Sequence, residues 1–133
     1  MGLSDDERKA LVIYRLEKAN KTYKQAFDSI PLGYWEMTGN RLYYAAYYAV
    51  SALLLQKGLT VQTHSGIIQM LGLHFVKTGL LDKSLGSLYG KLFSLRQTGD
   101  YGDTFDLTEN DVMPLVEPTK KLIEEVSQLI NKQ

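Results

Sequence analysis

Histidine is the side chain best suited to acid–base chemistry near neutral pH, and the sequence has two, His64 and His74. His64 stands at a predicted helix start, where the helix dipole disfavours its protonated form. It could cap the helix, hydrogen-bond to a cluster of tyrosines or serve a functional site. His74 is predicted to lie mid-helix as a surface or packing residue. Because the two are not one helical turn apart and no Asp or Glu lies between them, the pair predicts no metal site.

A cluster of tyrosines falls on one side of the helix predicted over residues 40–57, namely Tyr43, Tyr44, Tyr47 and Tyr48. Buried phenol hydroxyls need hydrogen-bond partners, so this cluster predicts a polar seam. Arg41 precedes Tyr44 and Tyr48 by one and two turns and could stack on their rings. Two interpretations stay open. The tyrosines either pack in the core with their hydroxyls at its rim, or form a pocket that stacks a base or holds a phosphate.

A second arginine, Arg96, opens a polar, glycine-containing stretch that reaches Leu107 and is predicted to be an irregular break. An Arg in the last turn of a helix interacts favourably with the dipole and often caps carbonyl groups. Asp100 could pair with Arg96 around the turn. Taken alone, the stretch from Arg96 to Tyr101 is predicted to be a structural corner.

Helices must position these side chains, and the stretch 40–57 organises them. No charged residue occurs between Arg41 and Lys57, so the segment has no solvated face and is predicted to be the buried central helix of a bundle. Its apolar run is too short to span a bilayer, which needs about 20 residues. Tyr34 to Met37 is predicted to be a short connection before it.

The first helix is predicted to begin at a capping box formed by Ser4 and Glu7 and to end at Pro31. Its basic residues are predicted to form a solvated face: Lys9, Arg15, Lys18, Lys21 and Lys24. The last helix is predicted to open at a second capping box, Thr108 with Asp111, and to bend at Pro114.

Two further helices are predicted between these, from His64 or Ser65 to Gly79 and from Asp82 or Ser84 to Arg96. Gly86 and Gly90 would leave a flat strip on the second of them, predicted to meet the alanine face of the central helix. The sequence therefore predicts an all-α fold, an antiparallel up-and-down bundle of four main helices plus a possible short fifth. Residues 1–133 are predicted to form a single domain.

Composition limits the classes of function. The chain has 15 basic and 15 acidic residues, so it lacks the basic excess of a large nucleic-acid footprint, although a small local site is compatible with that balance. It has no cysteine, which excludes disulfides and thiolate metal sites. The N-terminus has no signal-peptide core and no myristoylation signal, so we expect a cytoplasmic location and no membrane partner.

Several short motifs occur in an order that resembles the HEPN domain family. They are Asn40-Arg41, Tyr43-Tyr44-Ala45-Ala46-Tyr47, Thr63-His64-Ser65-Gly66, Arg96, and Asp100-Tyr101-Gly102. The resemblance implies a small antiparallel helical bundle that forms homodimers and occurs in toxin–antitoxin operons, often beside a minimal nucleotidyltransferase. Other members of the family are ribonucleases with an Arg followed a few residues later by a His.

Arg96 matches that Arg, but Tyr101 stands where the family's ribonucleases have the His. A Tyr with a pKa near 10 is only about one part in a thousand ionised at pH 7, so it is a poor base for a 2′-hydroxyl. The resemblance therefore implies a non-catalytic binding module, without a cofactor, that engages a nucleotide, RNA or a nucleotidyltransferase partner. The ligand-binding residues it implies are Arg41, Tyr44, Tyr48, His64, Arg96, Asp100 and Tyr101.

Two alternatives remain open at this point. The first is a metal-independent ribonuclease that uses Arg96 with His64 or Tyr101 as a relocated base. The second is a structural assembly protein without a ligand.

Overall fold

The computed structural model describes residues 2–61, 63–101 and 106–132, without the side chain of Tyr101. Six α-helices occur there: α1 (Asp5–Ser29), α2 (Trp35–Gln56), α3 (His64–Leu71), α4 (Lys83–Tyr101), α5 (Glu109–Val112) and α6 (Val116–Asn131). No strand occurs in these ranges. The all-α prediction is confirmed, with four long helices, α1, α2, α4 and α6, and two short ones.

Helix α2 is the centre of the bundle and packs against α1, α4 and α6. Its alanines at 45, 46, 49 and 52 are fully buried, as the absence of charge in this stretch predicts. The predicted start at Asn40 is wrong, because α2 begins at Trp35. Thr38, in its first turns, is buried and shares a hydrogen bond with Ser29 at the end of α1, so polar residues at the start of α2 are satisfied within the fold.

Helix α1 begins at the predicted capping box. The Glu7 backbone N–H donates to Ser4 Oγ at 3.1 Å, and the Ser4 N–H donates to Glu7 Oε1 at 2.9 Å. The chain leaves α1 through a 3₁₀ turn, Ile30–Leu32, and Gly33 ends that turn in the left-handed conformation, with φ 72°. The prediction that the basic residues of α1 form a solvated face is only partly correct, since Arg15 and Lys18 are half-buried against α2.

The predicted third helix begins at His64, one of its two predicted starts, but it changes character at Gly72. Helix α3 ends at Leu71 and the chain continues as one π-helical turn, Gly72–Val76. Phe75 in this wider turn is buried in the core. Gly79, with φ 82°, stops the segment as predicted.

Helix α4 runs further than predicted, since Arg96 to Asp100 are helical rather than part of a break. Leu107 packs where α4 crosses the start of α2. A Cβ added at Gly39 would lie 3.3 Å from Leu107 Cδ1, and one added at Gly99 would lie 2.8 Å from the same atom. The two glycines therefore allow a close approach that the pattern of the sequence did not indicate.

The predicted role of the glycine strip on α4 is wrong. A Cβ added at Gly86 would meet Val76 Cγ2 at 2.7 Å, so this glycine faces the π-helical turn and not the alanines of α2. A Cβ at Gly90 would meet nothing within 4 Å. Gly90 instead lines an open groove between α4 and the segment that carries Leu107 and Asp111.

The last segment follows the predicted pattern. The Thr108 N–H donates to Asp111 Oδ2 at 2.8 Å, as a capping box requires. Pro114 lies in a 3₁₀ turn, Met113–Leu115, that separates α5 from α6 and bends the path of the chain. None of the described helices has both the length and the apolar composition needed to cross a membrane.

Candidate functional site

Three helices bring the tyrosine cluster, His64 and Arg96 together. Helix α2 supplies the tyrosines, the first residue of α3 supplies His64, and α4 supplies Phe93 and Arg96. Tyr43 lies at the centre and is fully buried. Its ring centroid lies 5.5 Å from that of His64 and 5.9 Å from that of Phe93, and the Arg96 Cζ atom lies 5.7 Å from it.

His64 is not the cap of α3. Thr63 is the N-cap, and its side chain accepts a hydrogen bond of 3.0 Å from the Gly66 N–H. The His64 ring packs on Phe93, with centroids 4.7 Å apart, and its Nδ1 atom is hydrogen-bonded to the Tyr43 hydroxyl. Burial, and second the positive charge of Arg96, lower the pKa of His64. The imidazole is therefore neutral at neutral pH.

The phenols behind His64 are also neutral. Burial raises the pKa of Tyr43 above its ordinary value. Burial, followed by interaction with the Tyr43 hydroxyl, raises the pKa of Tyr89 much further. Because neither phenol ionises near pH 7, Tyr43 can orient His64 through its hydrogen bond without adding negative charge to the site.

Arg96 is held by side chains from two helices. Its Nη2 atom donates to the Tyr44 hydroxyl at 3.0 Å, and its Nε atom lies 3.2 Å from Asp100 Oδ2. Asp100 also accepts a 3.0 Å hydrogen bond from Asn40 Nδ2, which ties the end of α4 to α2. Only 13% of the Arg96 side chain is exposed, so its guanidinium group has a fixed orientation rather than a solvated one.

Arg41 stacks on the same tyrosine that Arg96 contacts. The Cζ atoms of both arginines lie 5.5 Å from the centroid of the Tyr44 ring, as the position of Arg41 one turn before Tyr44 predicted. Asn40 Oδ1 accepts hydrogen bonds from Arg41 Nε at 3.0 Å and Nη2 at 2.8 Å. Within the described residues Arg41 forms no ion pair. Counted over the part of the chain that the structure describes, the site has two guanidinium groups and one carboxylate, an excess of positive charge that suits a phosphate.

The structure thus places two predicted ligand-binding residues, Arg41 and Arg96, against Tyr44. Asp100 joins them through Arg96, and His64 lies on the neighbouring ring of Tyr43. Tyr48 is at the edge of this group, with its ring centroid 6.2 Å from that of Tyr44. Tyr101 ends α4, and its side chain lies outside the described residues, as does Gly102. His74 is exposed, away from the site, as a surface residue.

Sequence reasoning placed Asn40 in a family motif without its hydrogen bonds, and it missed the contributions of Phe93 and Tyr89. Phe93 lies three residues before Arg96, so a shared face of α4 could have been inferred from spacing. The hydrogen bonds of Asn40 could not be inferred from spacing, because the predicted helix started at Asn40 whereas α2 begins five residues earlier. Among the described residues, no group of three His, Cys, Asp or Glu side chains could hold a metal ion.

Comparison with known proteins identifies a single family and several relatives of similar sequence. The HEPN domain pattern matches residues 12–129. A UPF0332 protein of Thermotoga maritima is 42% identical over 91 residues, which cover 68% of this chain and 69% of that protein. A protein of Methanocaldococcus jannaschii named "putative toxin" is 31% identical over 96 residues, 72% of this chain and 65% of its own length.

A solved structure shares the fold. The crystal structure of TT1696 from Thermus thermophilus superposes with a TM-score of 0.72, covering 88% of this chain and 96% of that one. At 18% sequence identity this likeness concerns the arrangement of the helices only.

Proposed function

Because the chain belongs to the HEPN domain family, we propose that it is a binding module whose Arg96 holds a phosphate group of RNA or of a nucleotide. One observation carries this proposal: Tyr44 contacts the guanidinium groups of both Arg96 and Arg41, with neutral His64 nearby. A guanidinium group donates two parallel hydrogen bonds to phosphate oxygens, and one held in a fixed orientation loses less entropy on binding.

The alternative role for Arg96 is purely structural, as the group that fixes the end of α4 through Asp100. That role accounts for the Asp100 contact, but it does not account for Arg41 at the same ring. Two cations beside one ring repel each other, which is a cost that a bound anion would remove.

The substitution Arg96→Gln tests this proposal. It keeps much of the side chain and removes its charge, so we expect the Kd for a labelled single-stranded RNA to rise at least about tenfold, since hydrogen bonds to charged groups contribute about 1.5–3 kcal/mol. Fluorescence anisotropy measures the change, with Lys120→Gln on the exposed face of α6 as a control of equal charge. Equal affinities for all three proteins would contradict a phosphate site at Arg96, and an absence of any RNA or nucleotide binding would favour the assembly role.

A second candidate, metal-independent ribonuclease activity, is favoured by the position of His64. Its ring lies beside Arg96 against the same Tyr43 ring, where a neutral imidazole can take the proton of a 2′-hydroxyl. The 2′-oxygen would then attack phosphorus, and the bond from phosphorus to the 5′-oxygen would break as that oxygen takes the proton back from the His64 imidazolium, giving a 2′,3′-cyclic phosphate and a 5′-hydroxyl. Arg96 would stabilise the charge on the phosphoryl oxygens.

His64→Gln separates binding from cleavage. We expect the variant to bind RNA within a few-fold of the unmodified protein and to lose any formation of cyclic phosphate ends. The ends are identified by mass spectrometry of the products. Cleavage that survives His64→Gln but is lost in Arg96→Gln would assign the base to another group.

Family membership and one surface feature support a homodimer. The outer side of α4 carries small side chains along a groove of about 710 Å³, including Ser87, Gly90 and Ser94. Small residues let a second helix approach closely. We expect a dimeric mass by light scattering at micromolar concentration, and a monomeric mass for Ser94→Arg, which places charge and bulk in the groove. Gln128→Arg, at an exposed position on α6, is the matched control, since Ser94 is also exposed.

The proposed protein partner is a minimal nucleotidyltransferase in a toxin–antitoxin-type system. Its support is the family and the name of the Methanocaldococcus relative. Co-expression with the product of the adjacent reading frame, followed by co-purification, tests this pairing. A neighbour of an unrelated class that does not co-purify would contradict it.

A further inference from the structure

A second concave surface lies beside the Arg96 site, between α1 and α2. This cleft has a volume of about 350 Å³ and is lined by Tyr14, Glu17, Lys18, Lys21, Thr22, Gln25 and Arg41. Three of these side chains are cationic and one is acidic. In a chain with a formal net charge of zero, this is a local concentration of positive charge.

The three cations of the cleft form no ion pair with any carboxylate that the structure describes. Among the described residues, neither Lys18, Lys21 nor Arg41 lies within salt-bridge distance of a carboxylate. Lys24, one turn further along α1, differs because its Nζ atom lies 2.7 Å from Asp28 Oδ2. The three cations of the cleft therefore keep their positive charge, whereas the charge of Lys24 is balanced by the carboxylate of Asp28.

Tyrosine rings lie beside two of these cations, Lys18 and Arg41. The Lys18 Nζ atom lies 4.7 Å from the centroid of the Tyr48 ring and 5.8 Å from that of Tyr14, which is 56% exposed. Tyr48 in turn lies beside Tyr44, the tyrosine that Arg96 contacts. Arg41 belongs to both places, since it lines the cleft and stacks on Tyr44. The cleft and the Arg96 site are thus one continuous surface.

We propose that the α1–α2 cleft binds the sugar–phosphate backbone of a single-stranded RNA whose neighbouring phosphate is held at Arg96. This inference rests on the proposed function. Lys18 and Lys21 contact phosphates in the cleft, Arg41 contacts the phosphate between the cleft and Arg96, and Tyr14 stacks on a base. Proteins that bind single strands combine a positively charged groove with aromatic rings in this way. A duplex is disfavoured, because its paired bases cannot stack on Tyr14 and its footprint needs a larger basic surface.

The double substitution Lys18→Gln, Lys21→Gln tests the cleft. Glutamine removes the charge and keeps a polar side chain that can still lie along the Tyr48 ring. Binding is measured for a ten-nucleotide RNA and for a mononucleotide at several salt concentrations. Each phosphate contact with a single strand contributes about −0.7 to the slope of log K against log salt. We expect the slope for the ten-nucleotide RNA to become shallower by about 1.4, and the affinity for the mononucleotide to stay the same.

Controls make the result specific to the cleft. Lys77→Gln, Lys120→Gln changes the net charge equally at positions on other segments, and should leave both ligands unaffected. Tyr14→Leu keeps an apolar side chain and removes the stacking surface, so we expect roughly fivefold or greater weakening for the ten-nucleotide RNA alone.

The outcomes distinguish the two proposals. An unchanged salt slope in the Lys18, Lys21 variant, with weaker binding in Arg96→Gln, would overturn the cleft and leave the Arg96 site standing. A shallower slope with no effect of Arg96→Gln would support the cleft and overturn the Arg96 site. Failure of the unmodified protein to bind the ten-nucleotide RNA would overturn both.

Discussion

At the scale of single residues, His64 shows how burial sets chemistry. Its ring is packed between aromatic side chains and hydrogen-bonded to Tyr43, and its pKa is lowered. A His at a helix start could be recognised in the sequence, but its partner could not. Tyr43 is 21 positions away in the chain, and only the packing of α3 against α2 brings the two together.

The lowered pKa of His64 predicts a pH dependence of stability. Below the ordinary pKa of about 6.5 the unfolded chain gains a proton that the folded protein resists, so stability is complete above that pH and is lost as the pH falls towards the folded pKa. We expect the drop in Tm between about pH 7.5 and about pH 5.5 to be smaller for His64→Gln. Thermal unfolding followed by circular dichroism measures this, and equal drops in both proteins would show that His64 does not contribute.

At the scale of elements, the burial of α2 was predictable and its length was not. A stretch without charge between Arg41 and Lys57 has one stable environment, which is the core. Its first turns carry polar residues that resemble a connection, and their burial depends on contacts with α1 and with Leu107, which are distant in sequence. Helix α4 continues through Thr98-Gly99-Asp100 for a similar reason: the pairing of Arg96 with Asp100 and the contact at Leu107 outweigh the low helix propensity of this stretch.

The alanine face of α2 predicts sensitivity to larger side chains. Ala49 is fully buried, so Ala49→Leu forces α2 away from its neighbours and should lower the free energy of unfolding by about 1–3 kcal/mol. The same substitution at Ala10, exposed on α1, should change it by less than about 0.5 kcal/mol. Urea denaturation compares the two. Similar changes in the free energy of unfolding for the two variants would mean that α2 has space for larger side chains along its alanine face.

At the scale of the whole molecule, charge is balanced overall but unevenly distributed. Equal numbers of acidic and basic residues gave no prediction of a nucleic-acid surface, and composition alone cannot reveal one. The uneven distribution arises in the fold, where α1 brings Lys18 and Lys21 beside Arg41 of α2. Lys18 and Arg41 pair with tyrosine rings rather than with carboxylates that the structure describes, which leaves their charge available.

This distribution predicts stabilisation by anions. A ligand that binds only the folded state raises Tm, so inorganic phosphate at constant ionic strength should raise the Tm of the unmodified protein more than that of Arg41→Gln, Arg96→Gln. Differential scanning fluorimetry measures the shifts. Because general salt effects act on both proteins, equal shifts would argue against a specific anion site.

Trp35 gives the molecule a built-in optical signal. It is the only tryptophan in the sequence, is half-buried at the first position of α2 and packs on the core. The adjacent residue, Glu36, lies against Gly99 near the end of α4, since a Cβ on that glycine would be 3.7 Å from Glu36 Cα. Any ligand that shifts the end of α4 through Arg96 should therefore change the intrinsic emission of Trp35, which allows RNA or nucleotide binding to be titrated without attaching a label.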